Sequence, residues 1–73
     1  MYLSKNIKYL REKAGLNQSE MADKFYITRS ALGFWENGVR EPSIDMIVRL
    51  ADFFGVTLDQ LVREELYKED GGN

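Results

Sequence analysis

The sequence predicts an all-α, compact domain of five short helices with no strand. Three observations carry that expectation. Good N-cap residues (Ser4, Asn17, Thr28, Ser43 and Thr57) each stand just ahead of apolar residues at helical spacing. Two of the helical stretches close on a glycine followed by an apolar residue, Gly15-Leu16 and Gly55-Val56. That pair suits a helix stopped by a left-handed residue with a hydrophobic contact beyond it. No stretch shows the apolar–polar alternation of a half-buried strand.

The first helix is expected to start after Ser4, to turn Ile7, Leu10 and Ala14 inward, and to stop at Gly15. Asn17 caps the second, and Glu20 three residues later completes a capping box. Its apolar face is Met21, Ala22 and Phe25, and Tyr26-Ile27 forms a tight turn. Thr28 caps the third helix, where Ala31, Leu32 and Trp35 face the core and Asn37-Gly38 ends the run. The spacing makes Trp35 a core residue rather than a base-stacking platform. Val39 to Pro42 is a loop, because a proline keeps the residue before it out of the helical region. Ser43 opens a fourth helix with Ile44, Ile47, Leu50, Ala51 and Phe54 inward. A second capping box, Thr57 with Gln60, opens a fifth with Leu58, Leu61 and Val62 inward. The polar end from Glu64 is expected to fray, giving a domain over residues 1–68 and a flexible tail over 69–73.

Length and composition narrow the function. The 73 residues suffice for one domain. With no cysteine there are no disulfides or thiolate metal sites. With no histidine the commonest metal ligand and the usual general base near neutral pH are missing. There is no Gly-rich phosphate loop, no nucleophile–base arrangement and no convergent acid pair, so neither an enzyme nor a cofactor or metal is expected. Glu64, Glu65, Glu69 and Asp70 read as a solvated helix end. No secretory leader is visible and no apolar run approaches the ~20 residues of a membrane span, so a soluble cytoplasmic protein is expected. The net charge of −2 is unevenly spread. Residues 1–49 carry eight Lys/Arg against six Asp/Glu, and residues 50–73 carry two against six. The acidity is therefore C-terminal, and a basic face remains open to the rest.

The run from Gly15-Leu16-Asn17-Gln18 to Trp35-Glu36-Asn37-Gly38, followed by Pro42-Ser43, Leu50-Ala51 and Gly55-Val56, resembles the lambda-repressor-like, Cro-type helix-turn-helix domain. The resemblance covers residues 5–63, and its specificity lies in the ordered set rather than in any tripeptide. Members are mostly phage and bacterial repressors that bind palindromic operators as dimers; some are antitoxins or controllers of restriction systems. The resemblance implies a sequence-specific transcriptional regulator, a repressor, with double-stranded DNA as partner and no small-molecule substrate. An antitoxin or anti-repressor acting through protein–protein contact is the alternative, and the acidic C-terminal third gives it weight.

Residue by residue, the resemblance implies that Gln18 bonds a DNA phosphate, helped by its helix N-terminus. Arg29, Ser30, Gly33 and Phe34 take the outward, base-contacting positions of the recognition helix. Thr28 caps that helix and touches a phosphate, while Asn37 and Arg40 lie in the loop that follows the DNA backbone. Arg11 and Glu36 match a structural ion pair between the first helix and the end of the third; as a solvated pair it would contribute under ~1 kcal/mol. Two positions depart from the family pattern. Tyr26 stands where glycine is usual because the backbone there favours positive φ. A tyrosine in that conformation costs on the order of 1 kcal/mol, unless ring packing offsets it or the turn rearranges. Gly33 and Phe34 stand where polar readers are common, leaving Phe34 either to touch a thymine methyl or to pack on Tyr26. Met46 and Phe53 lie outside the inner stripe of the fourth helix, and Leu66 and Tyr67 extend apolar character beyond what the core requires. Those four residues are the expected homodimer interface, which would set two recognition helices about 34 Å apart.

Overall fold

In a computed structural model, which describes residues 1–71, the chain forms α1 (Leu3–Lys13), α2 (Gln18–Phe25), α3 (Arg29–Glu36), α4 (Ile44–Phe54), α5 (Leu58–Arg63) and α6 (Leu66–Gly71). Four helices begin where their caps direct. The side chains of Asn17, Thr28, Ser43 and Thr57 accept the N–H three residues on, at 2.8, 3.0, 3.2 and 3.0 Å. Glu20 and Gln60 return bonds to the Asn17 and Thr57 N–H groups at 2.8 and 2.9 Å, completing both capping boxes. Each cap satisfies a backbone group that the helix leaves without a partner and contributes about 1 kcal/mol.

The first helix differs. It begins at Leu3, and Tyr2 is its N-cap without any side-chain bond, so Ser4 lies inside the first turn. Tertiary contact decides this. Leu3 is buried in line with Ile7 and Leu10, and the Tyr2 N–H donates to the Val62 carbonyl at 3.0 Å.

Helix α1 packs on α3, α5 and α6, with α2 on α3 and α4 on α5. Ile7, Met21, Leu32, Leu50 and Leu61 are fully buried at the centre, and Trp35, Ile47, Phe54 and Val62 pack partly buried around them. A fully buried side chain of that size contributes about 1.5–3 kcal/mol. Three expected core residues are exposed instead: Ala14, Ile44 and Leu58. Ala14 is the residue after α1, whereas Ile44 and Leu58 are the first residues of α4 and α5. A side chain in the first turn leans back past the helix end, away from the packed layer.

The helix α6 has no counterpart in the five-helix expectation, and the boundary expected after residue 68 falls within it. Residues 72 and 73 of the expected tail lie outside the described residues. The joint before α6 is held from α1. Asn6 is fully buried, and its Nδ2 donates to the carbonyls of Leu61 at 2.7 Å and Glu64 at 2.6 Å. Its Oδ1 accepts the Leu66 N–H at 3.0 Å. One side chain thus serves the end of α5 and the start of α6. Held in this way, Leu66 is 9% exposed and belongs to the core. Leu66 is therefore corrected from interface candidate to core residue. Among the described residues, no helix is long and apolar enough to cross a membrane.

Candidate nucleic-acid interface

The pair α2–α3 is joined by Tyr26 and Ile27. Tyr26 has φ 56° and ψ 43°, the left-handed conformation, and the Ile27 N–H donates to the Ala22 carbonyl at 3.0 Å. The same closure follows Gly15, where Leu16 donates to Arg11 at 3.1 Å, and Gly55, where Val56 donates to Ala51 at 3.0 Å. Tyr26 thus takes the glycine conformation with a side chain attached. The turn is not rearranged, and Tyr26 is 91% exposed, so packing does not offset the strain. That exposure also leaves Phe34 without support from Tyr26.

The orientation of α3 is set at its C-terminal end. Arg11 Nε and Nη2 donate to the two oxygens of Glu36 at 2.6 and 3.1 Å, and Arg11 Nη1 donates to the Leu16 carbonyl at 2.8 Å. The Arg11 and Glu36 side chains are 9% and 2% exposed, so this pair is buried. Its hydrogen bond to Glu36 holds the Arg11 guanidinium above its ordinary pKa, against the effect of burial. Gln18 adds a third donor, with Nε2 at 3.1 Å from Glu36 Oε1. Glu36 therefore ties α1 and the first residue of α2 to the end of α3. The Gln18 side chain proposed for a phosphate is already engaged, with one amide hydrogen on Glu36.

The outer side of α3 carries Arg29, Gly33 and Asn37 in one row, with Ser30 and Phe34 beside them. With Gln18 from α2, these residues line a single open groove. Arg29, Ser30, Phe34 and Asn37 are exposed, and Gly33 is partly so. A Cβ built at Gly33 would meet nothing within 4 Å, so packing inside the domain does not demand a glycine there. Thr28 and Arg40 join Ser30 and Phe34 in the adjoining hollow. The Arg40 guanidinium lies over the Phe34 ring, 5.7 Å from its centroid, in cation–π geometry. Sequence reasoning assigned Asn17 only a capping role and Ser19 none. Both line a second groove with Arg11, Gln18 and Arg29. Their signal was position, since N–H groups in the first turn of a helix lack intrahelical partners.

Of the four residues expected at a dimer interface, Phe53 is the exposed one, at 46%. It meets Phe25 and Phe54 edge-on, at centroid distances of 5.2 and 5.0 Å. Met46 packs partly buried against the core, and half-buried Tyr67 donates to Glu65 at 3.1 Å beneath the Lys5 ammonium.

A short helix pair closed by a left-handed residue, with its second helix presenting an exposed polar row, defines a helix-turn-helix protein. The family model described as helix-turn-helix matches residues 7–61, more than half of the sequence, and the chain belongs to the lambda-repressor-like, Cro-type helix-turn-helix family. Three curated proteins show the range of its relatives. ImmR, an HTH-type transcriptional regulator of Bacillus subtilis (strain 168), is 34% identical over 71 residues, 96% of this chain and 56% of its own length. RstR, the cryptic phage CTXphi transcriptional repressor of Vibrio cholerae, is 31% identical over 61 residues, 84% of this chain and 55% of its own. BcrR, an HTH-type transcriptional activator of Enterococcus faecalis, is 31% identical over 65 residues, 89% of this chain and 32% of its own. The chain spans about half the length of the first two and about a third of the third.

Proposed function

We propose that the chain is a sequence-specific transcriptional regulator that inserts α3 into the major groove of double-stranded DNA. The observation that carries this reading is the groove in which Gln18, Arg29, Ser30, Gly33, Phe34 and Asn37 meet on the exposed side of α3. An α-helix fits a major groove about 12 Å wide, and the first turn of a recognition helix approaches the base edges. Arg29 and Ser30 supply hydrogen-bonded base contacts, Gly33 permits close approach of the backbone, and Phe34 adds an apolar contact. Gln18, Thr28, Asn37 and Arg40 contact phosphates, Gln18 through its remaining amide hydrogen and the free N–H groups of its helix end.

The same reading makes the active species a homodimer on a palindromic operator, with Phe53 as its exposed interface residue and Met46 and Tyr67 as further contacts. Repression follows if the operator overlaps a promoter. The relatives include both a repressor, RstR, and an activator, BcrR, so on this reading the operator's position decides the sign.

The test is selection of bound sequences from random duplexes, followed by titration at several salt concentrations. A palindromic consensus is expected, with log affinity falling by about 0.9 per neutralised phosphate per log unit of salt. Arg29→Ala should relax one base pair per half-site, whereas Asn37→Ala should weaken all sequences alike. Failure to bind any duplex at low salt would overturn the reading. Sedimentation that finds only monomer, with unchanged operator affinity in Phe53→Glu, would overturn the dimer.

A further inference from the structure

We infer that the recognition face discriminates through the C5 methyl group of a pyrimidine, so that 5-methylcytosine is accepted where thymine is read. Resting on the proposed DNA-binding role, the inference adds that Arg40 is the residue that positions the Phe34 ring for this contact. Phe34 is 43% exposed in the outward row of α3, between polar neighbours, and its side chain has neither donor nor acceptor. The loop after α3 folds back on it. The Val39 and Arg40 N–H groups donate to the Phe34 carbonyl at 2.9 and 3.3 Å, and the Arg40 guanidinium stacks over the ring. The guanidinium thus lies over the ring, while Phe34 as a residue stays exposed. Beside it, Gly33 leaves open space on the same surface.

An apolar ring held at a major-groove edge meets one apolar feature among the four bases, the thymine methyl. That methyl is carried on C5. Methylation of cytosine at C5 puts the same group at the same groove edge. Discrimination by Phe34 therefore follows the methyl group, while Arg29 and Ser30 respond to donors and acceptors. Operator occupancy becomes sensitive to cytosine methylation at that base pair.

The experiment uses the full chain and the operator obtained by selection. Each thymine is replaced in turn by deoxyuridine, which removes only the methyl. One thymine per half-site is expected to lose about fourfold in affinity on this change, the size set by burying one methyl group. At that position 5-methylcytosine should bind about fourfold more tightly than cytosine. Phe34→Ala should abolish both differences and leave the base preference at the Arg29 position intact. Arg40→Ala should lower affinity for every duplex and also shrink the methyl difference. A methyl difference unchanged in Arg40→Ala would overturn its positioning role. Tolerance of uracil at every thymine, or a methyl difference that survives Phe34→Ala, would overturn the inference while duplex binding stands. Absence of binding to any duplex would overturn the proposed function along with it.

Discussion

Asn6 and Arg11 leave α1 about 140° apart, both are buried, and they hold different halves of the molecule by different means. Arg11 grips the carboxylate of Glu36 and so fixes the end of α3, the helix that presents the candidate interface. Asn6 grips only backbone, the carbonyls of Leu61 and Glu64 and the Leu66 N–H, and so fixes the α5–α6 joint. The comparison separates two kinds of polar anchor. A charged pair in the interior is held together by the cost of leaving either partner alone. A buried amide is held by the backbone groups that would otherwise lack partners.

The largest effect is expected from breaking the charged anchor. Arg11→Ala leaves Glu36, with a side chain only 2% exposed, without its counter-ion, and loss of a buried partner costs about 3–5 kcal/mol. Urea unfolding would measure it. A loss below ~1 kcal/mol would place the pair with solvated ones. A double-mutant cycle with Glu36→Gln should show coupling between the two positions.

Asn6→Ala comes next. Three backbone groups, two of them in buried bonds, lose their partner, and with water reaching part of the opened joint the expected loss is about 2–3 kcal/mol. Amide exchange should accelerate most at Leu66 and around the α5–α6 joint, beyond the rise that lower global stability gives α2 and α3. Equal acceleration in α3 would show that the two anchors act as one.

A smaller effect of opposite sign is expected at the turn beside the anchored recognition helix. Tyr26 is the non-glycine residue at positive φ among the described residues, with Gly15, Gly38 and Gly55 in the same conformation. Tyr26→Gly should raise stability by about 1 kcal/mol, since the strain of a left-handed tyrosine exceeds the extra backbone entropy of glycine. Gly55→Ala should lower stability by a similar ~1 kcal/mol. Thermal melts of both variants would show the two shifts, and equal signs would refute the account.

The exposed pair Asp59–Arg63 supplies the smallest effect and the control for the largest. Its side chains are 64% and 77% exposed at 3.3 Å, and Asp59→Asn should change stability by less than ~0.5 kcal/mol. A larger change in the same urea series would mean that burial does not explain the difference between the two pairs.

Local signals in the sequence determined where α2 to α5 begin, because a cap side chain reaches a backbone N–H only three residues away. The turn at Tyr26 stayed open in the sequence between a strained left-handed residue and a rearranged turn, and the structure decided for the left-handed one. The outward row of Arg29, Ser30, Gly33 and Phe34 came from the resemblance, with helical spacing turning Ala31, Leu32 and Trp35 inward. What lies beyond local reach was decided by the tertiary structure. The start of α1 at Leu3 depends on a bond from Tyr2 to Val62, 60 residues along the chain. The joint before α6, and with it the burial of Leu66, depends on Asn6, whose partners lie 55 to 60 residues away. An asparagine bound to distant backbone leaves no pattern of paired side chains, and so nothing in the sequence announces it. The exposure of Ile44 and Leu58 is different in kind, since apolar spacing marks a face but the first residue of a helix leans past the layer that covers that face.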